Sequence, residues 1–137
     1  MDAEPKKGSS GPKTEKQGPK APRTVVLLVD DAHHARYITK LFLVNFGFIV
    51  HSFSSAEDAL THFDCRVHDV VVIDNTMPGM SGAEMAHVVK MRSPCTPVVM
   101  YSAQRPLDCS CLDCFLEKPA SLYTLKCAVE SLLARPK

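Results

Sequence analysis

Three short apolar runs, unbroken and rich in β-branched residues, punctuate the chain: Val25-Val26-Leu27-Leu28-Val29, Val70-Val71-Val72-Ile73 and Val98-Val99-Met100. A strand with one wet face alternates apolar with polar residues. Unbroken runs therefore predict strands buried on both faces, as in a parallel sheet covered by helices on each side. Two weaker segments, Phe48 to Phe53 and Cys114 to Glu117, are interrupted by His51 and by Glu117 and predict edge strands. Amphipathic stretches lie between the strands. The first, about His33 to Phe46, is closed by Gly47, whose missing Cβ permits a left-handed cap. Ser55 with Asp58, ahead of Ala56, Ala59, Leu60 and Phe63, and Ser81 with Glu84, ahead of Met85, Val88 and Val89, have the spacing of a capping box. Leu122, Leu125, Val129, Leu132 and Leu133 form one stripe of a last helix. Strand and helix alternate to the end of the pattern, which predicts a doubly wound α/β sandwich.

One connection breaks the alternation. Between Ser102 and Cys114 lie eleven residues containing Pro106 and almost no apolar periodicity. A full crossover helix hardly fits there, so a single turn or an irregular loop is expected.

Composition divides the chain in two. Its 137 residues carry a formal net charge of +1, with 45% hydrophobic and 23% charged residues, which suits a globular domain and excludes wholesale disorder. Of 16 basic and 15 acidic residues, six and three lie in residues 1–23, leaving ten against twelve in the remainder. Residues 1–23 are thus a basic segment at +3, rich in Pro, Gly and Lys and without Val or Leu. Such a segment is expected to be a disordered, solubilising tail before a folded domain over residues 24–135. No apolar run reaches the ~18 residues of a membrane span, and no signal-peptide core follows the charged N-terminus, so the expected compartment is cytoplasmic. The six cysteines do not frame the sequence as a disulfide scaffold would and read as reduced thiols.

The chemistry concentrates at the strand ends. In open α/β sheets ligands bind beyond the carboxyl ends of the strands. Here the first strand is followed by Asp30 and Asp31 and the third by Asp74, the fourth ends at Ser102, and the fifth runs into Lys118. Three carboxylates at one rim repel by about 4 kcal/mol per pair at about 4 Å and an effective dielectric near 20. A hard divalent cation such as Mg2+, which takes carboxylates, waters and a phosphate oxygen, would compensate them. With Lys118 as a mobile cation and Ser102 as a hydroxyl donor, the set makes a cradle for a phosphoryl group, with one carboxylate available as nucleophile.

Asp30-Asp31, Asp74 followed by Met77-Pro78-Gly79 and Gly82, Ser102 after an apolar strand, and Lys118-Pro119 together resemble the receiver domain of two-component response regulators, of the chemotaxis-regulator type. The resemblance covers about residues 24–134. It implies a flavodoxin-like, five-stranded parallel sheet in the order 2-1-3-4-5, here with a shortened or missing fourth helix, and a cis Lys118-Pro119 bond. It further implies that Asp74 is the phosphoacceptor and that Asp30, Asp31, Asp74 and the backbone carbonyl of Thr76 hold Mg2+. Ser102 and Lys118 would bind the phosphoryl oxygens, Phe115 would be the aromatic that turns inward on phosphorylation, and Thr76 and Gln104 would tune the acyl-phosphate lifetime. The implied donor is a sensor histidine kinase or a histidine phosphotransfer protein. With only the last helix after Lys118, no DNA-binding domain is expected, and output would pass through another protein or a phosphorylation-dependent dimer.

Other readings stand beside this one. A phosphorylation-independent pseudo-receiver would have no reason to keep the charged pocket. An aspartyl-phosphate phosphohydrolase would want a carboxylate two residues after the nucleophile, where Thr76 stands. Cys109, Cys111 and Cys114 invite a zinc or redox reading, but a shortened helix filled with small residues is favoured. His33 and His34 read as exposed first-turn residues, and Phe115 as either switch or core.

Overall fold

The computed structural model describes residues 23–135, so the segment read as a disordered basic tail lies, apart from Arg23, outside the described residues. The three apolar runs become β1 (Val25–Val29), β3 (Val70–Ile73) and β4 (Val98–Ser102). The two interrupted segments become β2 (Ile49–Phe53) and β5 (Cys114–Glu117). All pairings are parallel, and the order is β2-β1-β3-β4-β5. Burial follows position: β3 is buried throughout, whereas the edges β2 and β5 are partly exposed.

Strand alternation feeds two cores. On one face Leu27, Val29, Val71 and Ile73 pack with α2 (Ala56–His62) and α3 (Gly82–Arg92) through Ala59, Leu60, Met85 and Val89. On the other, Val26, Leu28, Val70 and Val72 pack with α1 (His33–Asn45) and α4 (Leu122–Leu133) through Leu43, Leu125 and Val129.

The helix ends follow the sequence signals with one qualification. Ser81 and Glu84 make a reciprocal capping box, but at Ser55 only half of it forms: the hydroxyl accepts the Asp58 N–H at 3.1 Å. The α1 helix ends at Asn45, one residue before the expected Phe46, and Gly47 follows at φ 95°. Residues 103–113 contain no helix, as the length of the connection required.

Two carboxylates close the sheet's N-terminal rim. Asp69, just before β3, accepts the Val25 N–H at 2.9 Å, and Asp113, just before β5, accepts the Val98 N–H at 2.7 Å. Each satisfies the first N–H of the neighbouring strand, a donor that would otherwise lack a partner.

Candidate functional site

The register sets the opposite rim. Val29 pairs with Ile73, so the residues that follow them, Asp30 and Asp74, leave adjacent strands side by side. The Asp30 N–H donates to the Phe53 carbonyl at 3.2 Å and the Asp74 N–H to the Val29 carbonyl at 3.0 Å, which fixes both backbones as the strands end. Carboxylate oxygens of Asp30, Asp31 and Asp74 come within 4.8 Å of one another, the only such group of potential metal ligands among the described residues. Asp30 is buried, Asp74 half-buried and Asp31 exposed.

Asp30 is the most constrained of the three. One oxygen accepts the Ala32 N–H at 2.9 Å, and the other faces the Lys118 ammonium at 3.3 Å. Burial pushes its carboxyl above the usual carboxylate range; the Ala32 N–H and Lys118 oppose the shift, and Asp74 adds to it. Lys118 against the three carboxylates leaves −2 when all are ionised, while the nearby Arg36 guanidinium is bonded to the Asp30 main-chain carbonyl and not to a carboxylate. An all-oxygen donor set with that charge fits a hard divalent cation such as Mg2+.

Lys118 is placed by the end of β5. Its N–H donates to the Ser102 carbonyl at 2.9 Å, which brings β4 and β5 together at the rim, and the following bond to Pro119 is cis. The ammonium also lies 5.1 Å from the centroid of the Tyr101 ring, whose hydroxyl donates to the Ala120 carbonyl at 2.6 Å. Ser102 is fully buried and accepts the Gln104 N–H at 3.2 Å. Thr76 and Gln104 are exposed and face each other through a long 3.5 Å contact. Phe115 is half-buried on β5, with the Arg105 guanidinium 4.9 Å over its ring.

The loop after β3 needs its glycines. A Cβ at Gly82 would overlap the Asp74 carbonyl, and Gly79 sits at φ 76°. Asn75 accepts the Ala83 N–H at 3.1 Å, so the start of α3 is tied to the residue after Asp74.

Several supporting side chains escaped the sequence reading. Arg36 donates to the Asp30 carbonyl at 2.7 Å, and Glu57 accepts the Met80 N–H at 2.8 Å, tethering the loop after Asp74 to α2. Arg36 lies one turn into the helix that follows the acidic pair, a position the sequence does offer. Glu57 lies 23 residues from its partner and carries no such signal. The cysteine cluster does not assemble into a metal site. Cys111 packs toward the α2/α3 core and Cys114 toward the α1/α4 core, on opposite faces of the sheet. His33 and His34 are exposed in the first turn of α1.

A doubly wound parallel sheet in the order β2-β1-β3-β4-β5, with an acidic group at its carboxyl rim, a lysine after the last strand and a hydroxyl on the one before, defines a flavodoxin-like α/β protein with a polar site at that rim. The family model described as the response regulator receiver domain matches residues 26–130, and the chain belongs to that family. Such domains are signalling domains that interact with histidine kinases. The DNA-binding transcriptional regulator NtrC of Salmonella typhimurium is 30% identical over 86 residues, 63% of this chain and 18% of NtrC. The autoinducer 1 sensor kinase/phosphatase LuxN of Vibrio campbellii is 32% identical over 106 residues, 74% of this chain and 12% of LuxN. The chain thus spans less than a fifth of the length of these curated relatives. Among solved structures, response regulator TrrA of Thermotoga maritima in complex with Mg(2+)-BeF superposes with a TM-score of 0.75 at 26% identity, covering 80% of this chain and 98% of TrrA. A CheY-like receiver domain of Methanospirillum hungatei, at 21% identity and TM-score 0.76 over 82% of this chain and 94% of that one, shares the fold. No helix among the described residues is long and apolar enough to cross a membrane.

Proposed function

We propose that Asp74 accepts a phosphoryl group from a phosphohistidine on a sensor histidine kinase or histidine phosphotransfer protein, in a Mg2+-dependent reaction, and that the phosphorylated chain signals through protein contacts. The observation that carries this reading is the convergence of Asp74 with Asp30 and Asp31 opposite Lys118. The ion would be held by Asp30, Asp31, Asp74 and the backbone carbonyl of Thr76. Bound there, Mg2+ would supply charge neutralisation for the carboxylates and the incoming phosphoryl oxygens. The Mg(2+)-BeF complex of TrrA supports that assignment.

An Asp74 carboxylate oxygen attacks phosphorus as the P–N bond to the donor imidazole breaks, and the imidazole leaves neutral after taking a proton from water. Asp74 reaches from the end of a fully buried strand, so its approach is fixed before the donor arrives. Lys118 shifts its ammonium from Asp30 toward the phosphoryl oxygens, and the Ser102 hydroxyl donates to the same group. The product replaces the single charge of the Asp74 carboxylate with nearly two negative charges on the phosphoryl oxygens, beside the Gln104–Arg105 segment. Phe115 then turns inward and carries the change to the surface. Thr76 and Gln104 border the route by which water reaches the acyl phosphate and set its lifetime, which is moderate.

The donor must approach this rim, and an apolar surface adjoins it. Tyr37, Ile38 and Leu41 stand exposed on α1, and Ile38 lines a groove with Tyr101, Pro119 and Leu122. This is the surface on which the donor protein docks.

Incubation with acetyl phosphate and Mg2+ followed by intact mass measurement tests the reading. One phosphate adduct is expected on the wild-type chain and none on Asp74→Asn. A wild-type chain without adduct, or an Asp74→Asn chain that still carries it, overturns the assignment. Thr76→Asn and Gln104→Glu are expected to change the decay of the adduct, and unchanged lifetimes would remove their tuning role.

A further inference from the structure

The segment that replaces a helix between β4 and β5 carries a second concentration of reactive side chains. Cys111 Sγ lies 3.3 Å from His87 Nδ1, across from the exposed side of α3. A thiol donates and an unprotonated ring nitrogen accepts in such a contact, which leaves the ring proton on Nε2. Asp108 lies within charge range of His87. Hydrogen bonds from Ser110 hold its carboxyl below the ordinary range, and His87, once protonated, lowers it further. The sulfur is held in place as well as paired: the Leu112 N–H donates to the Cys109 carbonyl at 3.0 Å, and Cys111 and Leu112 both pack against the α2/α3 core.

The other thiols are differently placed. Cys65, Cys95 and Cys127 are exposed. Cys109 donates to the Pro106 carbonyl at 3.5 Å. Cys114 faces the opposite core, where burial pushes its thiol up. Among the described residues, Cys111 is the thiol hydrogen-bonded to a base.

We infer that Cys111 is the nucleophilic thiol of the chain, with His87 as its base, and that this pair is a modification site for peroxides and soft carbon electrophiles. With hydrogen peroxide, sulfur attacks the O–O bond. An S–O bond forms, the O–O bond breaks, and the thiol proton passes through His87 Nδ1 to the departing hydroxide, giving sulfenic acid and water. With an alkyl iodide, an S–C bond forms, iodide leaves with the electron pair of the C–I bond, and the proton is taken by His87 before it is lost to solvent. The site is separate from the acidic rim, and the chemistry does not depend on phosphorylation.

The chain's own cysteines provide the controls. The full chain is treated at pH 7 with limiting iodoacetamide, quenched, digested and mapped by mass spectrometry. Cys111 is expected to label about tenfold faster than Cys95 although it is less exposed, a factor of ten short of the ~100-fold at which the contribution of a positioned general base usually begins. His87→Ala is expected to bring Cys111 down to the rate of the exposed cysteines while leaving Cys65, Cys95 and Cys127 unchanged. After limiting hydrogen peroxide, the same peptide should carry the sulfenic acid trapped by a 1,3-diketone. Labelling of Cys111 no faster than Cys65, Cys95 and Cys127, or unaltered by His87→Ala, overturns the inference. So does a His87→Ala chain in which Cys109 speeds up as Cys111 slows, because that marks loop rearrangement in place of a lost base.

Discussion

The two faces of the sheet close over β4 and β5 by different means. On one, α1 and α4 run for 13 and 12 residues, and the β5 side chains Cys114 and Leu116 pack against the same core as Leu122, Leu132 and Leu133 of a continuous helical stripe. On the other, α2 and α3 are 7 and 11 residues long, and residues 103–113 cross beside β5 with no helix at all. A helix satisfies its backbone internally and offers an apolar stripe every turn. The 103–113 segment instead relies on local contacts, Gln104 on Ser102, Ser110 on Asp108 and Cys109 on Pro106, and contributes Cys111 and Leu112 to the core. The proposed phosphoryl chemistry sits beside the second face. Elements that move on binding or modification come from the less stable end of a structure, and the covering that lacks a helix carries Gln104 and Arg105.

The sharpest way to break that contrast is to remove one leucine from each covering. Leu125 of α4 is fully buried, and Leu125→Ala is expected to cost about 2–5 kcal/mol, the range for a large-to-small change that leaves a cavity. Leu112 is only half-buried, and Leu112→Ala is expected to cost about 1 kcal/mol. Urea unfolding of both variants measures the difference. Equal losses would show that the segment is as firmly packed as the helix.

A smaller effect tests the segment's anchor. Asp113 holds the Val98 N–H and the Lys90 ammonium, each at 2.7 Å, so the segment re-enters the sheet at a fixed point. Asp113→Ala leaves a partly buried N–H without its acceptor and is expected to cost about 1–3 kcal/mol. Hydrogen exchange should rise at Val98 and along residues 103–113 while α4 stays protected. Loss of protection on both faces would mean that the anchor serves the whole sheet.

These anchors also mark what could be read in advance. Unbroken Val/Ile/Leu runs can be buried only between two layers, so β1, β3 and β4 and the sandwich were legible, as were the edges interrupted by His51 and Glu117. Ser81 with Glu84 and Gly47 are local signals, written within four residues of the backbone they govern. The eleven-residue spacing ruled out a helix after Ser102 by length alone. The acidic group was legible because strand ends share one rim. Arg105 over Phe115, Glu57 on Met80 and His51 against His68 were not, since each joins elements whose facing depends on register. Sequence proximity even misleads at Cys111 and Cys114, three residues apart and on opposite faces.

Acid should also separate the faces. His68 is buried beneath Phe63 on the α2/α3 side, its Nε2 3.0 Å from His51 Nδ1 and its Nδ1 accepting the Asp64 N–H at 3.1 Å. Burial first, then the neighbouring His51, hold its imidazole below the ordinary value of 6.5, against smaller opposing contributions from Asp64 and Asp69. A histidine whose folded value is depressed binds fewer protons folded than unfolded. Its contribution to stability is therefore complete above 6.5 and is lost as pH falls from there through the folded value. Urea unfolding at pH 7 and pH 5.5 should show wild type losing more stability than His68→Phe. Equal losses would assign the acid sensitivity to other groups.

The finest test concerns a contact that couples the segment to β5. The Arg105 guanidinium lies 4.9 Å from the Phe115 centroid, a cation–π contact at a partly exposed site, for which about 0.5–1 kcal/mol is expected. Arg105→Ala and Phe115→Leu each change other contacts, so neither alone measures it. The double-mutant cycle does: urea unfolding of wild type, both single variants and the pair should give a coupling of about 0.5–1 kcal/mol. A coupling near zero would leave Phe115 held by packing alone. In the phosphorylated chain the same cycle should shrink if Phe115 turns away from Arg105 into the protein, because the contact is then already broken. A coupling that persists unchanged on phosphorylation would mean that the ring stays where it is, and that the signal leaves the acidic rim by the main chain of residues 103–113.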